Sequence, residues 1–378
     1  MTPPLVVLAA GGTGGHMFPA EALAGALIAR NIRVALLTDQ RGQAFSETLP
    51  SVEVHRIRAS RLPRYTLDRL RAVIEMGLGG LEARRLLRRL DPSVVVGFGG
   101  YPSIPTVFAA SLARIPIVLH EQNALLGRAN RRLASRARAI ATSFAKVTHI
   151  PATARTILTG NPVRPSILAV RDIPYAEPTA DGPLSILVTG GSQGARIFSE
   201  TLPAAMALLP PKLKARLKIV QQCRPEDIDA VTADYRAADI DAELSTFFND
   251  VPARLSACHL AITRSGASTV AELGVAGRPS ILVPYPFATD DHQTANAEAF
   301  AQSGGGWVVS QRILTPKLLA DRIAGLAAHP DTLARAAEAA RQEGRPDAAD
   351  SFAELVLSQV GAGVGQPALR TSLKDIAA

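Results

Sequence analysis

The sequence predicts an α/β fold with two doubly wound parallel sheets, and three observations carry that prediction. The 378 residues exceed one ordinary domain of about 100–200 residues, so two domains of similar size are expected. A pattern of apolar run, glycine turn and helical stretch occurs twice at an offset of 179, as PLVVLAAGGTGGH from Pro4 and PLSILVTGGSQGAR from Pro183. Between and after these turns, apolar β-branched runs alternate with helical stretches, which is the pattern of a parallel sheet with crossover helices. An apolar content of 47% against 20% charged residues fills large cores and excludes a globally disordered chain.

In the first half, runs at 5–10, 34–38, 94–97, 117–120 and 139–142 read as strands, with a helix over 19–30 behind the first turn. In the second half the repeat strand after Pro183 is followed by a helix over 197–209 and by strands at 218–221, 260–263, 280–283 and 306–309. Gly160-Asn161-Pro162 closes the first half and the Pro-rich stretch 172–183 precedes the second, so the hinge belongs in this region. Residues 361–378 read as a loose tail.

The longest uncharged stretch, 92–113, carries Gly97, Gly99, Gly100, Pro102 and Pro105 and is not a membrane helix. No Lys or Arg precedes Leu5 and the first apolar run leads straight into glycines, so no signal peptide and no export are expected. Cys223 and Cys258 stand alone and read as core thiols rather than a disulfide or a zinc site.

Charge divides the chain, with net +13 over 1–164 and net −5 over the remainder. Basicity peaks in 56–89, where ten Arg face only Asp68, Glu75 and Glu82. They frame an apolar centre of Val73, Ile74, Met76, Leu78 and Leu81, loosened by Gly77, Gly79 and Gly80. Arginines around exposed apolar residues suit an anionic membrane surface, whereas an apolar stripe turned to the core is the competing reading. With only Tyr65 available for stacking, a nucleic-acid partner is not expected.

The glycine turns suit phosphate, because a turn without Cβ atoms exposes backbone N–H groups and the following helix adds its dipole. Asp39 ends the second strand where a dinucleotide ribose would sit, but Met17 occupies the third glycine position of that fingerprint. Residues 190–194, GGSQG, match a nucleophile elbow around Ser192, with Asp290 and His292 downstream. Against a hydrolase, the repeat sets Thr13 at the Ser192 position, and Asp290 and His292 lie too close in sequence for the usual acid and base. Asp227-x-Asp229 and Asp239-x-Asp241 fall in a charged, Ala-rich stretch that reads as a solvated helical face, so no protein-held metal is expected.

His16 follows the first turn and is a general-base candidate at a helix N-terminus, beside the blander reading of a capping histidine. His120-Glu121-Gln122-Asn123 sets polar residues just past an apolar run, pointing to the same cleft; Glu121 is a second acid–base candidate or a ligand-positioning carboxylate. In the stretch 265–272, Thr269 and Glu272 have capping-box spacing, while a functional reading gives the helix end a diphosphate and Glu272 a sugar hydroxyl. Ligands of such sheets bind beyond the carboxyl ends of the strands, so two facing halves make one cleft.

GGTGGHMFPA (11–20), GFGGYPS (97–103), HEQNALLGRAN (120–130), GNPVR (160–164), GGSQGAR (190–196), RSGASTVAEL (264–273) and DDHQTANA (290–297), taken in this order, resemble the MurG family of bacterial glycosyltransferases. The resemblance runs from Pro4 to about Val360. It implies a GT-B fold of two Rossmann-like domains, 1–164 and 165–345, with a short helix at about 346–360 returning to the first. It implies a second domain that binds UDP-N-acetylglucosamine and a first domain that meets lipid I and the cytoplasmic side of the cell inner membrane as a peripheral protein. Thr13, Gly14 and Gly15 then face the donor across the cleft, Asn123 and Arg164 contact it, and Ser192 lies on its phosphate loop. Phe248 stands where main chain meets uracil and an aliphatic residue is expected. Ala267, Ser268, Thr269, Val270 and Ala271 match the diphosphate helix end, Glu272 the ribose ligand and Gln293 the ligand of the donor sugar hydroxyls. The implied reaction is an inverting transfer to the C4 hydroxyl of the muramoyl sugar, with His16 as base, Glu121 in reserve and no cofactor or metal. A UDP-sugar 2-epimerase of the same architecture is the alternative.

Overall fold

The computed structural model describes residues 3–11, 14–39, 49–60, 66–191 and 194–361. Thr13, Ser192, Tyr65 and the expected tail from 362 on lie outside these residues.

The first half builds a seven-stranded, all-parallel sheet from β1 (Leu5–Ala9), β2 (Arg33–Thr38), β3 (Glu53–Arg56), β4 (Val94–Gly97), β5 (Ile117–Glu121), β6 (Ala139–Thr142) and β7 (Thr156–Leu158), in the order β3-β2-β1-β4-β5-β6-β7. The second half builds six parallel strands, β8 (Leu184–Thr189), β9 (Leu217–Gln222), β10 (Ala242–Ser245), β11 (Leu260–Thr263), β12 (Ser280–Leu282) and β13 (Gly306–Val308), in the order β10-β9-β8-β11-β12-β13. In each sheet the repeat strand is central, and strand order reverses beside it. The carboxyl ends of β1 and β8 therefore lie at topological switch points, where crossover helices diverge and leave a crevice. Helices cover both faces, so β1, β4 and β8 read as near-continuous apolar runs rather than alternating ones.

The chain crosses between the halves twice. After β7 it enters the helix Pro165–Arg171, which packs on the second-half helices Val251–Ala257 and Ala267–Ala276. Near the end, the helix Ala348–Leu357 returns to pack on Gly14–Ile28, and its Phe352, Leu355 and Val356 join Val6, Leu8 and Leu23 in the first core. A further apolar cluster joins Ala124, Phe144 and Val163 of the first half to Val270, Leu273, Ala297 and Phe300 of the second. Cys223 and Cys258 are both buried free thiols.

From Thr66 on, the basic stretch forms an unbroken 25-residue helix, Thr66–Leu90, so its glycines do not loosen it. Gly79 instead permits a close approach, since a Cβ there would fall 1.9 Å from the carbonyl oxygen of Arg58. Among the described residues no helix is long and apolar enough to cross a membrane.

Candidate active site

His16 lies in the first turn of the helix Gly14–Ile28, and its Nδ1 is 2.8 Å from the carbonyl oxygen of Phe98, just past β4. A carbonyl only accepts, so Nδ1 carries the proton and Nε2 keeps its lone pair. That nitrogen meets the Gly99-Gly100 turn, where both residues have positive φ (79° and 68°) and a Cβ on Gly100 would stand 3.2 Å from Nε2. Glycine therefore keeps a Cβ from crowding Nε2. Burial lowers the His16 pKa below the usual histidine value, and the Phe98 hydrogen bond and the charge of Glu121 only partly oppose it, leaving a neutral ring near pH 7.

Glu121 ends β5 and is buried with its carboxylate fully used. Oε1 accepts from the backbone and side-chain N–H groups of Asn123, both at 3.1 Å, while Oε2 accepts from Gly127 N at 2.8 Å and Asn130 Nδ2 at 2.9 Å. The group thus shapes the loop 122–130 and has no lone pair directed at the cleft. Asn123 passes this order across the molecule: its Oδ1 accepts from Asn296 Nδ2 at 3.1 Å, and Asn296 also binds Ala124 N and Ser265 O.

On the facing side, the helix Ala267–Ala276 starts from an extended Gly266 with no side-chain cap. Thr269 is its third residue, so Thr269 and Glu272 are out of register for a capping box, and that reading is set aside. Val270 N is the first amide bonded within the helix, to Gly266 O at 3.0 Å, which leaves the N–H groups of Ala267, Ser268 and Thr269 as free donors. The Ser268 hydroxyl beside them is buried and unpartnered. One turn on, Glu272 Oε1 accepts from Arg164 Nη2 at 2.9 Å, and the Arg164 guanidinium also lies 5.2 Å from the Phe18 ring centre. Burial raises the Glu272 pKa, and the charge of Arg164 counters the rise.

One cleft of about 1040 Å³ brings most of the expected residues together. Gly15, His16, Glu121, Asn123 and Arg164 border it from one side, and Phe248, Ala267, Ser268, Thr269, Glu272 and Gln293 from the other. Gly14 opens the first helix. Val270 turns into the core, and neither it nor Ala271 borders the cleft. Phe248 is also largely buried, with the Arg254 guanidinium 4.1 Å from its ring centre, and it is the neighbouring Phe247, 62% exposed, whose side chain stands open at the cleft. Sequence reasoning missed Phe247, Phe18 and Asn296, since none carries a periodic or spacing signal. Of the hydrolase set, Ser192 lies outside the described residues, Asp290 pairs with Arg128 and Arg131, and His292 Nδ1 lies 2.8 Å from Thr289 O. Asp39 is buried and accepts from the Tyr101 hydroxyl at 3.0 Å, serving the turn rather than a ribose.

Residues 6–142 match the glycosyltransferase family 28 N-terminal domain and residues 185–352 its C-terminal domain. A protein of Rhodospirillum centenum named UDP-N-acetylglucosamine--N-acetylmuramyl-(pentapeptide) pyrophosphoryl-undecaprenol N-acetylglucosamine transferase is 56% identical over 363 residues, covering 96% of each chain. One of the same name from Paramagnetospirillum magneticum is 55% identical, over 94% of this chain and 97% of its own. The crystal structure of Acinetobacter baumannii MurG superposes with a TM-score of 0.78 at 30% identity, covering 94% of this chain and all of that one.

This chain belongs to the MurG family. The GT-B architecture expected from the motifs is the one observed, with the family's two domain matches falling on the two sheets. A UDP-GlcNAc 2-epimerase from Neisseria meningitidis superposes with a TM-score of 0.66 at 15% identity and so shares the fold alone. MurG relatives at more than 50% identity set the epimerase alternative aside.

Proposed function

We propose that this chain moves N-acetylglucosamine from UDP-N-acetylglucosamine to the C4 hydroxyl of the muramoyl sugar of lipid I, giving lipid II for peptidoglycan synthesis. One observation carries the reading: a bare imidazole nitrogen borders the same cleft as a helix N-terminus with free N–H donors, flanked by Arg164 and Glu272.

His16 Nε2 takes the proton of the attacking hydroxyl while that oxygen bonds to the anomeric carbon from the face opposite UDP. The bond from this carbon to the diphosphate oxygen breaks, and the configuration inverts. The charge that develops on the leaving UDP falls on the N–H groups of Ala267, Ser268 and Thr269 and on Arg164, donors fixed before the reaction begins. Val270 and Ala271 serve only as the body of that helix. Glu272 takes the ribose hydroxyls, Asn123 and Gln293 the donor sugar, and the main chain at Phe248 the uracil. Gly14 and Gly15, with Thr13 and Ser192 outside the described residues, are assigned to donor contact as the family resemblance implies. Glu121 acts as a positioning residue for 122–130, because the four hydrogen bonds its oxygens accept leave no lone pair for the attacking hydroxyl.

We assign 1–164, with the returning helix, to the acceptor side and 165–345 to the donor side. The helix Thr66–Leu90 docks the enzyme on the anionic cytoplasmic face of the inner membrane. Support comes from its exposed Val73, Ile74, Leu78 and Leu81 beside the basic run at Arg84, Arg85, Arg88 and Arg89; Met76 instead borders the cleft. The deciding assay measures donor hydrolysis and sugar transfer with and without a short-chain lipid I analogue. Transfer that depends on the analogue is expected, and hydrolysis or epimerisation alone overturns the assignment. His16→Ala should lower turnover by about 10²–10⁴ with UDP affinity nearly intact, whereas a loss below about tenfold removes His16 from the base role.

A further inference from the structure

We propose that Gln122 is a positioning residue for this reaction: its side-chain oxygen shares the Nδ1 proton of His16 with the Phe98 carbonyl, holding Nε2 bare toward the cleft. The proposal rests on the reading of His16 as the base.

Two groups converge on one ring nitrogen, with the Phe98 oxygen and the Gln122 amide each 2.8 Å from Nδ1. If the amide presented its NH₂ group, Nδ1 would have to be the bare nitrogen. The Phe98 oxygen would then face a lone pair with no hydrogen between them, and the proton would sit on Nε2, where it blocks base catalysis. In that orientation the Gln122 oxygen is also buried without a partner, although the residue is only 6% exposed. Turning the amide by half a rotation removes the conflict at the ring, because the oxygen then receives Nδ1–H alongside the carbonyl while the NH₂ group takes the place the oxygen held.

The consequence is catalytic as well as geometric. Once Nε2 has taken the hydroxyl proton the ring is an imidazolium, and a second acceptor on Nδ1–H favours this charged form more than the neutral one. Gln122 thus acts through His16 without touching the sugars. The other titratable groups facing the ring are engaged elsewhere. Glu121 is saturated by Asn123, Gly127 and Asn130; His120 stacks on Phe352 with its Nε2 3.4 Å from the Ser143 hydroxyl; and His292, on the opposite domain, is held at Thr289 O.

The test uses the full chain with Gln122→Glu and Gln122→Leu, reading the pH profile of kcat/KM and the ¹⁵N imidazole signals of His16. A carboxylate on Nδ1–H should move the acid limb up by about one pH unit, and loss of the acceptor should move it down. At neutral pH the leucine variant should lose roughly tenfold in kcat with KM for UDP-N-acetylglucosamine unchanged. A merely structural role would lower activity without shifting the limb in opposite directions, so an unmoved limb, or a shift of the same sign in both variants, overturns the proposal. If the leucine variant does not fold, the sign of the glutamate shift decides. Failure of the base reading is separate: His16→Ala would then keep its turnover, while the ¹⁵N signals would still report whether Gln122 sets the tautomer and the titration of His16.

Discussion

At the scale of single residues, the sequence separates chemistry from scaffolding only where register is known. Thr269 and Glu272 fit a capping box and a sugar-binding helix end equally well on spacing. The helix start at Ala267 decides between them by leaving Glu272 a turn too deep to cap and in contact with Arg164. Glu121 stood beside His16 as a possible base, and nothing in HEQN shows that four donors consume its carboxylate. Glu272 and Arg164 neutralise each other across the cleft, so a donor that takes both must break their ion pair. Glu272→Ala is therefore expected to weaken UDP-N-acetylglucosamine binding by about 1–3 kcal/mol, the range for a lost charged hydrogen bond. Because the Arg164 side chain is 38% exposed and remains solvated without its partner, Tm should barely change. Calorimetry paired with thermal melts checks this, and a lowered Tm with unchanged affinity would return Glu272 to a purely structural role.

At the scale of elements, most strands that sequence reasoning found are buried on both faces and appear as apolar runs, although the short edge strand β13 was found as well. The three it missed, β3, β7 and β10, are sheet-edge strands of three or four residues with exposed or half-buried side chains, and EVHR or AELS carries no such run. The helix Thr66–Leu90 was legible in charge but not in facing. Ala72, Ala83 and Leu87 turn inward while Val73, Ile74 and Leu81 turn out, so it keeps a core stripe and an exposed apolar strip at once. The two sequence readings of this stretch were not exclusive. The neighbouring helix Gly100–Leu112 exposes Phe108 and Leu112 as well, with the Arg136 guanidinium 5.4 Å from the Phe108 ring centre. At roughly 1 kcal/mol per basic residue near an anionic surface, the arginines give reversible attachment. Flotation with liposomes should show binding that requires anionic lipid and falls as salt rises. Changing Arg84, Arg85, Arg88 and Arg89 to Glu should abolish it, and Val73, Ile74 and Leu81 to Ser should weaken it; equal binding to neutral liposomes overturns electrostatic docking.

At the scale of the whole molecule, the repeat announces two halves but not what joins them. The Arg128 and Arg131 pairs with Asp290, the Asn296 amide and the apolar cluster around Phe144 and Phe300 all link residues more than 150 positions apart, beyond any local pattern. The returning helix makes a further link, at His120. This ring is fully buried between Phe98, at 5.6 Å, and Phe352, at 5.0 Å and nearly parallel, so it ties β5 beneath the active site to the last helix. Burial pushes its pKa down from the ordinary 6.5 to about 3. The unfolded chain therefore takes up a proton there that the folded chain refuses. Stability from this group is complete above pH 6.5 and is lost as pH falls toward 3, at up to about 1.4 kcal/mol per pH unit. His16, also lowered by burial, acts in the same direction just below its ordinary value. His120→Phe keeps an aromatic ring against Phe352 and removes the titration. Its Tm should fall less than that of the unaltered chain between pH 6.5 and pH 4.5, and protease release of the returning helix, which reports the same opening, should become less acid-sensitive. Melts that decline in parallel over that interval would move the acid-labile contact away from His120.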